Sequence, residues 1–587
     1  MLTLSFHFHG YQPGDIVRWR ETDPLRPQTF EERHSPVVHR IGAERIEGRN
    51  WTDAVLRTYG RLGTVLDQTS GSASVDIEPQ TLAWLLERDP SAYREILATY
   101  ERGTAGFVMT PPFHPILPHV HRLDREALFD MMIDFYAPLI QRANGRPIGL
   151  WLPETTYSRE TMDSFRESAR QTSLEQEDLA DSLRATYLLA DARQFARPPG
   201  SGHAWIRVDS HEPLLAIARD HSLSGEFAFG ATSASEFGTS VRSSGTGSVL
   251  VASDLESLIA NPTQAERFEA IVRSLRESGF DVVRPSPPRD APTSQMVDYS
   301  SWSDYDDTVS SGITSDTRWT GLRRSDGCIV SRVRRNRPLS QLWKHAFTLA
   351  TERIETAVRR RALALLRAAG VARHAHALRR IAVAYGRHWF RTHYDAQGFS
   401  ARDTDFAASA EDILAGKVDI EVAGFLARGY VLMLMGSRSD PRFWDNPDTR
   451  VTFQNVVLLV QGLRDLAEAS VRAKDPSRAA ILRRLLEATL LNFSEWHGRG
   501  EFAALQGVQG WETTDAAWYA SLESDVPQLS PFDVVKRAAM FALASGAAWP
   551  GGEAVPAVEG VVADTGHIDG ESHGEWRNPG WCEHRPQ

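Results

Sequence analysis

The sequence predicts an α/β domain built on a parallel sheet, followed by an α-helical domain. Three observations predict it. Over the first three hundred residues, short apolar runs alternate with amphipathic helical patterns. Strands alternating with helices favour a parallel sheet, open or closed into a barrel. At the start of the chain, Leu2, Leu4, Phe6 and Phe8 alternate with Thr3, Ser5, His7 and His9, the period of two expected of a strand. From about Gln341 the character changes and long helical patterns dominate.

The elements follow in order. The stretch Thr81–Tyr100 reads as two helices separated at Asp89-Pro90, because the residue before a proline is disfavoured in helical geometry. Ile148–Leu152 and Ser248–Ala252 are short apolar runs, each followed by polar residues and a helical pattern. Arg170–Ser182 is polar and acidic, a surface helix or an insertion, and Thr232–Gly247, rich in Ser, Gly and Thr, reads as a loop. In the second half, Leu342–Ala369, Ala375–Thr392, Ile420–Met435, Val451–Arg472 and Arg478–Phe493 carry helical periodicity and suggest a bundle. The stretch from about Trp549, rich in Gly, Glu and His, reads as a poorly ordered tail. The expected division is residues 1–340, 341–548 and 549–587.

Composition narrows the function. Of the 587 residues, 42% are hydrophobic and 24% charged, a globular balance rather than a disordered one. A net charge of −11 and the lack of a basic stripe argue against nucleic acid as a partner. A neutral polysaccharide meets no such repulsion. Two cysteines, Cys328 and Cys582, form neither a disulfide framework nor a metal-binding CxxC pair, which fits a reducing compartment. The first residues lack a basic region and a long apolar run, so no signal peptide is expected. No run of ~18 apolar residues occurs, so no membrane span is expected either. The expected location is cytoplasmic.

Two carboxylates stand out. In Gly149-Leu-Trp151-Leu-Pro-Glu154 an apolar strand delivers Glu154 at its end, where barrel enzymes carry their chemistry. The alternative is that Glu154 only favours the N-terminus of the next helix. In Val249-Leu-Val-Ala-Ser-Asp254-Leu-Glu256 a second strand delivers Asp254, although Ser253 and Glu256 also have the spacing of a capping box. Two carboxylates on separate strand ends suggest glycoside hydrolysis, in which one attacks the anomeric carbon and the other protonates the leaving oxygen.

In His7-Phe-His9-Gly-Tyr-Gln12-Pro13, His7 and His9 share the face opposite Phe6 and Phe8. If the phenylalanines face outer helices, the histidines face the lumen, where they suit sugar hydroxyls. A metal pair or two hydrogen-bonded core histidines are the alternatives. His114, in a proline-rich loop, could line the same mouth. The stretch from Tyr299 through Trp302 to Trp319 is polar, aromatic and acidic, as a sugar-binding loop is. Arg438-Ser-Asp440-Pro-Arg-Phe-Trp444-Asp445 interrupts two helical patterns with exposed-looking aromatics and carboxylates. It is either a helix connection or a loop reaching the barrel. His374 and His376 lie on an arginine-rich helix surface.

These residues, in this order, resemble a family. HFHGYQP, EPQTLAWLLERDP, FHPILP, GLWLPE and VASDLE, then SSWSDYDD with RWTGLRRSDGC, and finally SRSDPRFWDNPDTR, are similar to successive regions of glycoside hydrolase family 57. The likeness is greatest to a subgroup with an uncharacterised C-terminal helical domain, and it runs from His7 to about Ala469. It implies a seven-stranded (β/α) barrel, an incomplete relative of the eight-stranded one, followed by a helical bundle that completes the active site. It further implies a retaining enzyme acting on α-glucan or oligosaccharides, of the α-amylase, 4-α-glucanotransferase or branching type, with no cofactor or metal. Glu154 becomes the nucleophile and Asp254 the general acid/base, while His9 and His114 hold sugar hydroxyls. His7, Gln12, Trp151, Glu256, Trp302, Trp319, Trp444 and Asp445 become candidate lining residues. The sequence departs from the family pattern in places. Leu255 replaces a glycine after Asp254, Glu78 replaces a frequent glycine, and Thr-Ala-Gly-Phe-Val-Met precedes the His114 loop where a glycine-histidine-glycine stretch is usual. These changes bear on the subsites and leave open a non-catalytic glucan-binding relative. A metal-dependent polysaccharide deacetylase, using His7, His9 and an aspartate, is the third reading.

Overall fold

The computed structural model describes residues 2–11, 51–200, 202–206, 213–230, 233–244, 247–255, 264–286, 290–302, 342–392, 406–443 and 450–486, and four short strands between 322 and 339. Contacts divide the chain into two units. The first comprises residues 1–18, 30–302 and 386–406, and the second residues 19–29, 303–385 and 407–587.

The first unit is a barrel. Its strands are β1 (Thr3–Gly10), β2 (Ala73–Ile77), β3 (Gly106–Met109), β4 (Gly149–Trp151), β5 (Tyr187–Asp191), β7 (Leu214–Arg219) and β8 (Ser248–Asp254). They run parallel in the order β7-β5-β4-β3-β2-β1-β8, and the pairing of Arg219 with Leu250 closes the ring at seven strands. The strand β6 (His203–Ile206) lies outside the ring, antiparallel on β7. Closure removes the sheet edges, which is why these strands are buried almost throughout.

Helices α1 (Trp51–Gln68), α2 (Pro79–Arg88), α3 (Pro90–Arg102), α4 (Arg122–Ala143), α5 (Arg159–Glu175), α6 (Ala180–Arg184), α7 (His221–Phe229), α8 (Ala234–Ser243) and α9 (Gln264–Glu277) connect the strands. The expected break at Asp89-Pro90 separates α2 from α3, and the Asp89 carboxylate accepts from the backbone N–H groups of Ser91 and Ala92. Phe6 and Phe8 of β1 point outward onto these helices. Their rings pack edge-on against Phe268 of α9, both at 5.0 Å, with Phe227 of α7 beside them. The alternation of β1 therefore turns His7 and His9 inward, as the phase of the phenylalanines requires.

One expectation fails here. Within Thr232–Gly247, read as a loop, residues Ala234–Ser243 form α8. Ser233 and Glu236 make a capping box, and Phe237, Gly238 and Val241 face inward at helical spacing. Three buried positions and a good cap outweigh the low helix propensity of Ser, Thr and Gly.

The second unit contains α10 (Leu342–Ala368), α13 (Ile420–Gly436), the short α14 (Asp440–Phe443) and α15 (Arg450–Arg472). Between α10 and α13 come α11 (His374–Thr392), whose last residues belong to the first unit, and α12 (Phe406–Leu414). Helices α13 and α15 cross closely because Gly429 meets Gly462. A Cβ on either residue would lie 2.7 Å from the other's carbonyl oxygen. Arg428 and Asp465 clamp the same crossing with two 2.6 Å bonds. The segment from Arg438 to Arg442, exposed-looking in sequence, is buried: Arg438 bonds the Met435 carbonyl, and Arg442 reaches the Thr351 hydroxyl at 3.1 Å. Among the described residues no helix is long and apolar enough to cross a membrane.

Candidate active site

Parallel register sets the site in layers. His9 lies level with Asp76 of β2 on one side and Asp254 of β8 on the other. One step below, His7 is level with Ser74 and Ala252. Register partners in a parallel ladder turn their side chains to the same face, so all three residues of the upper layer look into the mouth at the C-terminal ends of the strands.

Asp76 organises the histidines. It is fully buried; His9 Nδ1 meets one carboxyl oxygen at 2.8 Å, and His7 Nε2 lies 2.9 Å from the other. Burial pushes its carboxyl up, but the charge and hydrogen bonds of His9 and His7 outweigh burial and hold it below its ordinary range. An ionised carboxylate only accepts, so His9 donates its Nδ1–H to it, while His7 Nε2 faces it as a close charge contact. Burial keeps His7 below its ordinary value, and its Nδ1 shares a hydrogen bond with the Ser74 hydroxyl at 2.9 Å. His9 Nε2 meets His114 Nε2 at 3.0 Å. One proton must lie between those two nitrogens, since two would collide and none would leave lone pairs opposed. Burial, then the charge of His9, holds His114 well below its ordinary value.

The rings are also stacked. Trp151 of β4 lies against His9 at 5.4 Å and near His7 at 4.9 Å, and Tyr11 stacks on His114 at 4.1 Å. Trp151 is only 5% exposed, so it supports the histidines rather than offering a free face to a sugar. Phe113 and His114 have left-handed backbones, φ 69° and 51°. Such residues cost about 1–3 kcal/mol each and persist where the surroundings over-determine them.

Glu78 supplies part of that determination. One carboxyl oxygen accepts from Phe113 N at 2.7 Å, and the other accepts from Thr81 N at 2.9 Å and caps α2. Burial pushes Glu78 up to about 7, against the opposing pull of the backbone N–H groups of Phe113, Thr81 and Gln80. A folded value above the usual 4.5 means stability that is full below pH ~4.5 and lost as pH rises through about 7, in total ~3 kcal/mol. Calorimetry from pH 4.5 to 8 is expected to show the wild-type Tm falling relative to that of Glu78→Gln. Parallel curves would contradict this.

Glu154 follows β4 on a tight turn. It has φ 56° and ψ 22°, and Thr155 has φ 49°. Gln194 Nε2 donates to the Thr155 carbonyl at 2.7 Å, and the Trp302 backbone N–H to the Thr155 hydroxyl at 3.0 Å. The Trp302 indole N–H donates to Glu154 Oε2 at 2.7 Å. The helix-start alternative does not fit, because the N-cap of α5 is Ser158 and the acidic residue of its first turn is Glu160. Asp254 is the exposed last residue of β8. Ser253 lies within the strand and is buried, while Glu256, its partner in a capping box, lies outside the described residues. Gln12, Trp319, Trp444 and Asp445 also lie outside them.

Sequence reasoning missed Asp76, Asp191, Arg193 and Arg219, and singled out Glu78 only as a departure from the family pattern. For Asp76 a signal existed: it ends an alternating run, Ser74-Val-Asp76, in phase with an inward face. The arginines carried no comparable signal. Among the described residues no group of three or more His, Cys, Asp or Glu is arranged to hold a metal ion.

Comparison with known proteins places this geometry in context. Residues 1–287 match a family model described as maltose-forming alpha-amylase-like, N-terminal domain, and residues 318–566 match its C-terminal counterpart. Among solved structures, the chain is similar to an exo-type maltose-forming amylase from Pyrococcus sp. ST04. Identity is 31%, coverage is 92% of each chain and the TM-score is 0.74. A branching enzyme of glycoside hydrolase family 57 from Thermococcus kodakaraensis is 12% identical over 83% of this chain and 94% of its own, with a TM-score of 0.42. A 4-alpha-glucanotransferase from Thermococcus litoralis is 12% identical over 79% and 60%, with a TM-score of 0.40. No curated protein sequence matches the chain.

Proposed function

Because the chain belongs to glycoside hydrolase family 57, with both domains of its maltose-forming α-amylase-like members, we propose that it cleaves α-glucan with retention, releasing short maltooligosaccharides. Glu154 is the nucleophile and Asp254 the general acid/base. Glu154 Oε1 or Oε2 attacks the anomeric carbon as Asp254 gives its proton to the departing glycosidic oxygen. Asp254, now ionised, takes a proton from water as that water opens the glycosyl ester. A sugar hydroxyl in place of water gives transfer.

The observation that carries this reading is the Glu154 turn. A half-buried carboxylate on a left-handed residue beyond a barrel strand, oriented by an indole N–H at 2.7 Å, suits attack at a fixed carbon better than helix capping. His9 and His114, paired with each other at 3.0 Å, turn to sugar hydroxyls when substrate enters beside it, supported from below by Asp76, His7 and Trp151. Gln12, Glu256, Trp302, Trp319, Trp444 and Asp445 complete the proposed lining. The proposed organisation is a catalytic domain at residues 1–340, a helical domain at 341–548 that completes the site, and a tail at 549–587. The proposed setting is the cytoplasm, which the presence of just two cysteines in 587 residues supports.

The test is a product assay on maltooligosaccharides and amylose, resolved by chain length and by anomer. Wild type is expected to shorten chains and give α-configured products first. Intact α-glucans after long incubation, or β-configured first products, would defeat the proposal.

A further inference from the structure

We propose that Asp191 is a positioning residue for the nucleophile, holding two arginines that grip Trp302 so that its indole fixes the Glu154 carboxylate. The inference rests on the reading of Glu154 as nucleophile.

Asp191 ends β5 and has no solvent exposure. Its Oδ1 accepts from Arg193 N at 3.0 Å and Arg193 Nε at 3.1 Å. Its Oδ2 accepts from Arg219 Nε at 2.8 Å and faces His221 Nδ1 at 3.3 Å. Arg219 ends β7, level with Asp191 on the neighbouring strand. Both arginines then turn to Trp302. The Arg219 guanidinium lies 5.9 Å from its ring centroid, and Arg193 Nη2 donates to its backbone carbonyl. The Thr155 hydroxyl holds the backbone N–H of Trp302, and the indole N–H faces Glu154 Oε2. Trp302 is thus gripped at its ring face, its carbonyl and its N–H.

The same short turn reaches Glu154 from the other side. Asp191 and Gln194 form a capping box, and Gln194 Nε2 donates to the carbonyls of Thr155 and Ser300. The turn after β5 therefore touches the backbone on both sides of the Trp302–Glu154 bond. A buried carboxylate between two guanidinium groups is a costly way to stabilise a fold, since apolar packing does as well. Its geometric output, two arginines converging on one tryptophan, is what apolar packing does not supply.

The experiment is a double-mutant cycle on maltotetraose. Asp191→Asn is expected to lower kcat by ~10–100-fold with KM within ~threefold, the signature of a misplaced reacting group. In a Trp302→Phe background the same substitution is expected to change kcat by less than ~threefold, because the path to Glu154 is already cut. Arg219→Lys, which keeps a cation beside Asp191, is expected to show the same dependence on Trp302. If Asp191→Asn does not fold, the Arg219→Lys cycle decides alone. Equal losses in both backgrounds, or no loss of kcat, overturn the inference. Failure of the nucleophile assignment is read separately. If Glu154→Gln keeps its activity, Glu154 is not the nucleophile, whatever the cycle reports about Trp302.

Discussion

Glu154→Gln is expected to lower kcat on maltotetraose by at least ~10⁴-fold, with substrate binding nearly unchanged. The amide is close in shape to the carboxylate and can still meet the Trp302 indole N–H through its oxygen. It cannot form the glycosyl ester, and loss of a covalent nucleophile removes stabilisation present only in the transition state. The smaller change Glu154→Ala opens space on the face from which the carboxylate attacks. Azide entering there from the nucleophile's side is expected to give a β-glycosyl azide, the inverted product. Wild-type rates for Glu154→Gln, measured after removal of trace wild type, would remove Glu154 from the mechanism.

Asp254→Asn is expected to lower kcat on maltotetraose by ~10²–10⁴-fold, the usual worth of a general acid/base. Its effect depends on the leaving group. An aryl maltoside with an acidic phenol departs without a proton, so the first step is expected to recover while the second, which needs a base, stays slow. Azide needs no base and is expected to restore turnover, giving an α-glycosyl azide. The two variants thus form azides of opposite configuration, and the same configuration from both would mean that the roles are misassigned. The site's position, exposed at the end of β8 and level with His9, leaves Asp254 open to solvent for its proton exchange.

Much of the barrel was legible in the sequence, for identifiable reasons. Phe6 and Phe8 set the phase of β1, which put His7 and His9 together on the opposite face; that this face is the lumen follows from the packing of the phenylalanines on Phe227 and Phe268. Glu154 was legible because an apolar run ending in Pro-Glu marks a strand end whatever surrounds it. Helix α8 was misread because its composition is that of a loop, and its capping box with Phe237, Gly238 and Val241 packed inside outweighs that composition. The Arg438–Arg442 segment looked exposed because it sits in a polar, carboxylate-bearing break between helical patterns, yet Asp440 is buried and the guanidinium groups of Arg438 and Arg442 are buried against carbonyl and hydroxyl acceptors.

Local chemistry along the chain determined the element order, the shared face of His7 and His9 on β1 and the two carboxylates at strand ends. Those features depend on periodicity and on turn residues only a few positions apart. Tertiary structure alone decided the partners of those groups. Asp76 lies 67 residues from His9, His114 lies 105 away, and Trp302 lies 148 from Glu154. In a parallel barrel each neighbouring strand is separated by a whole connecting helix or more, so register exists only once the ring has closed. The buried Asp191, with Arg219 level beside it on β7, is a product of that closure. So are the strained turns at His114 and Glu154, which only a completed surrounding shell can hold in place.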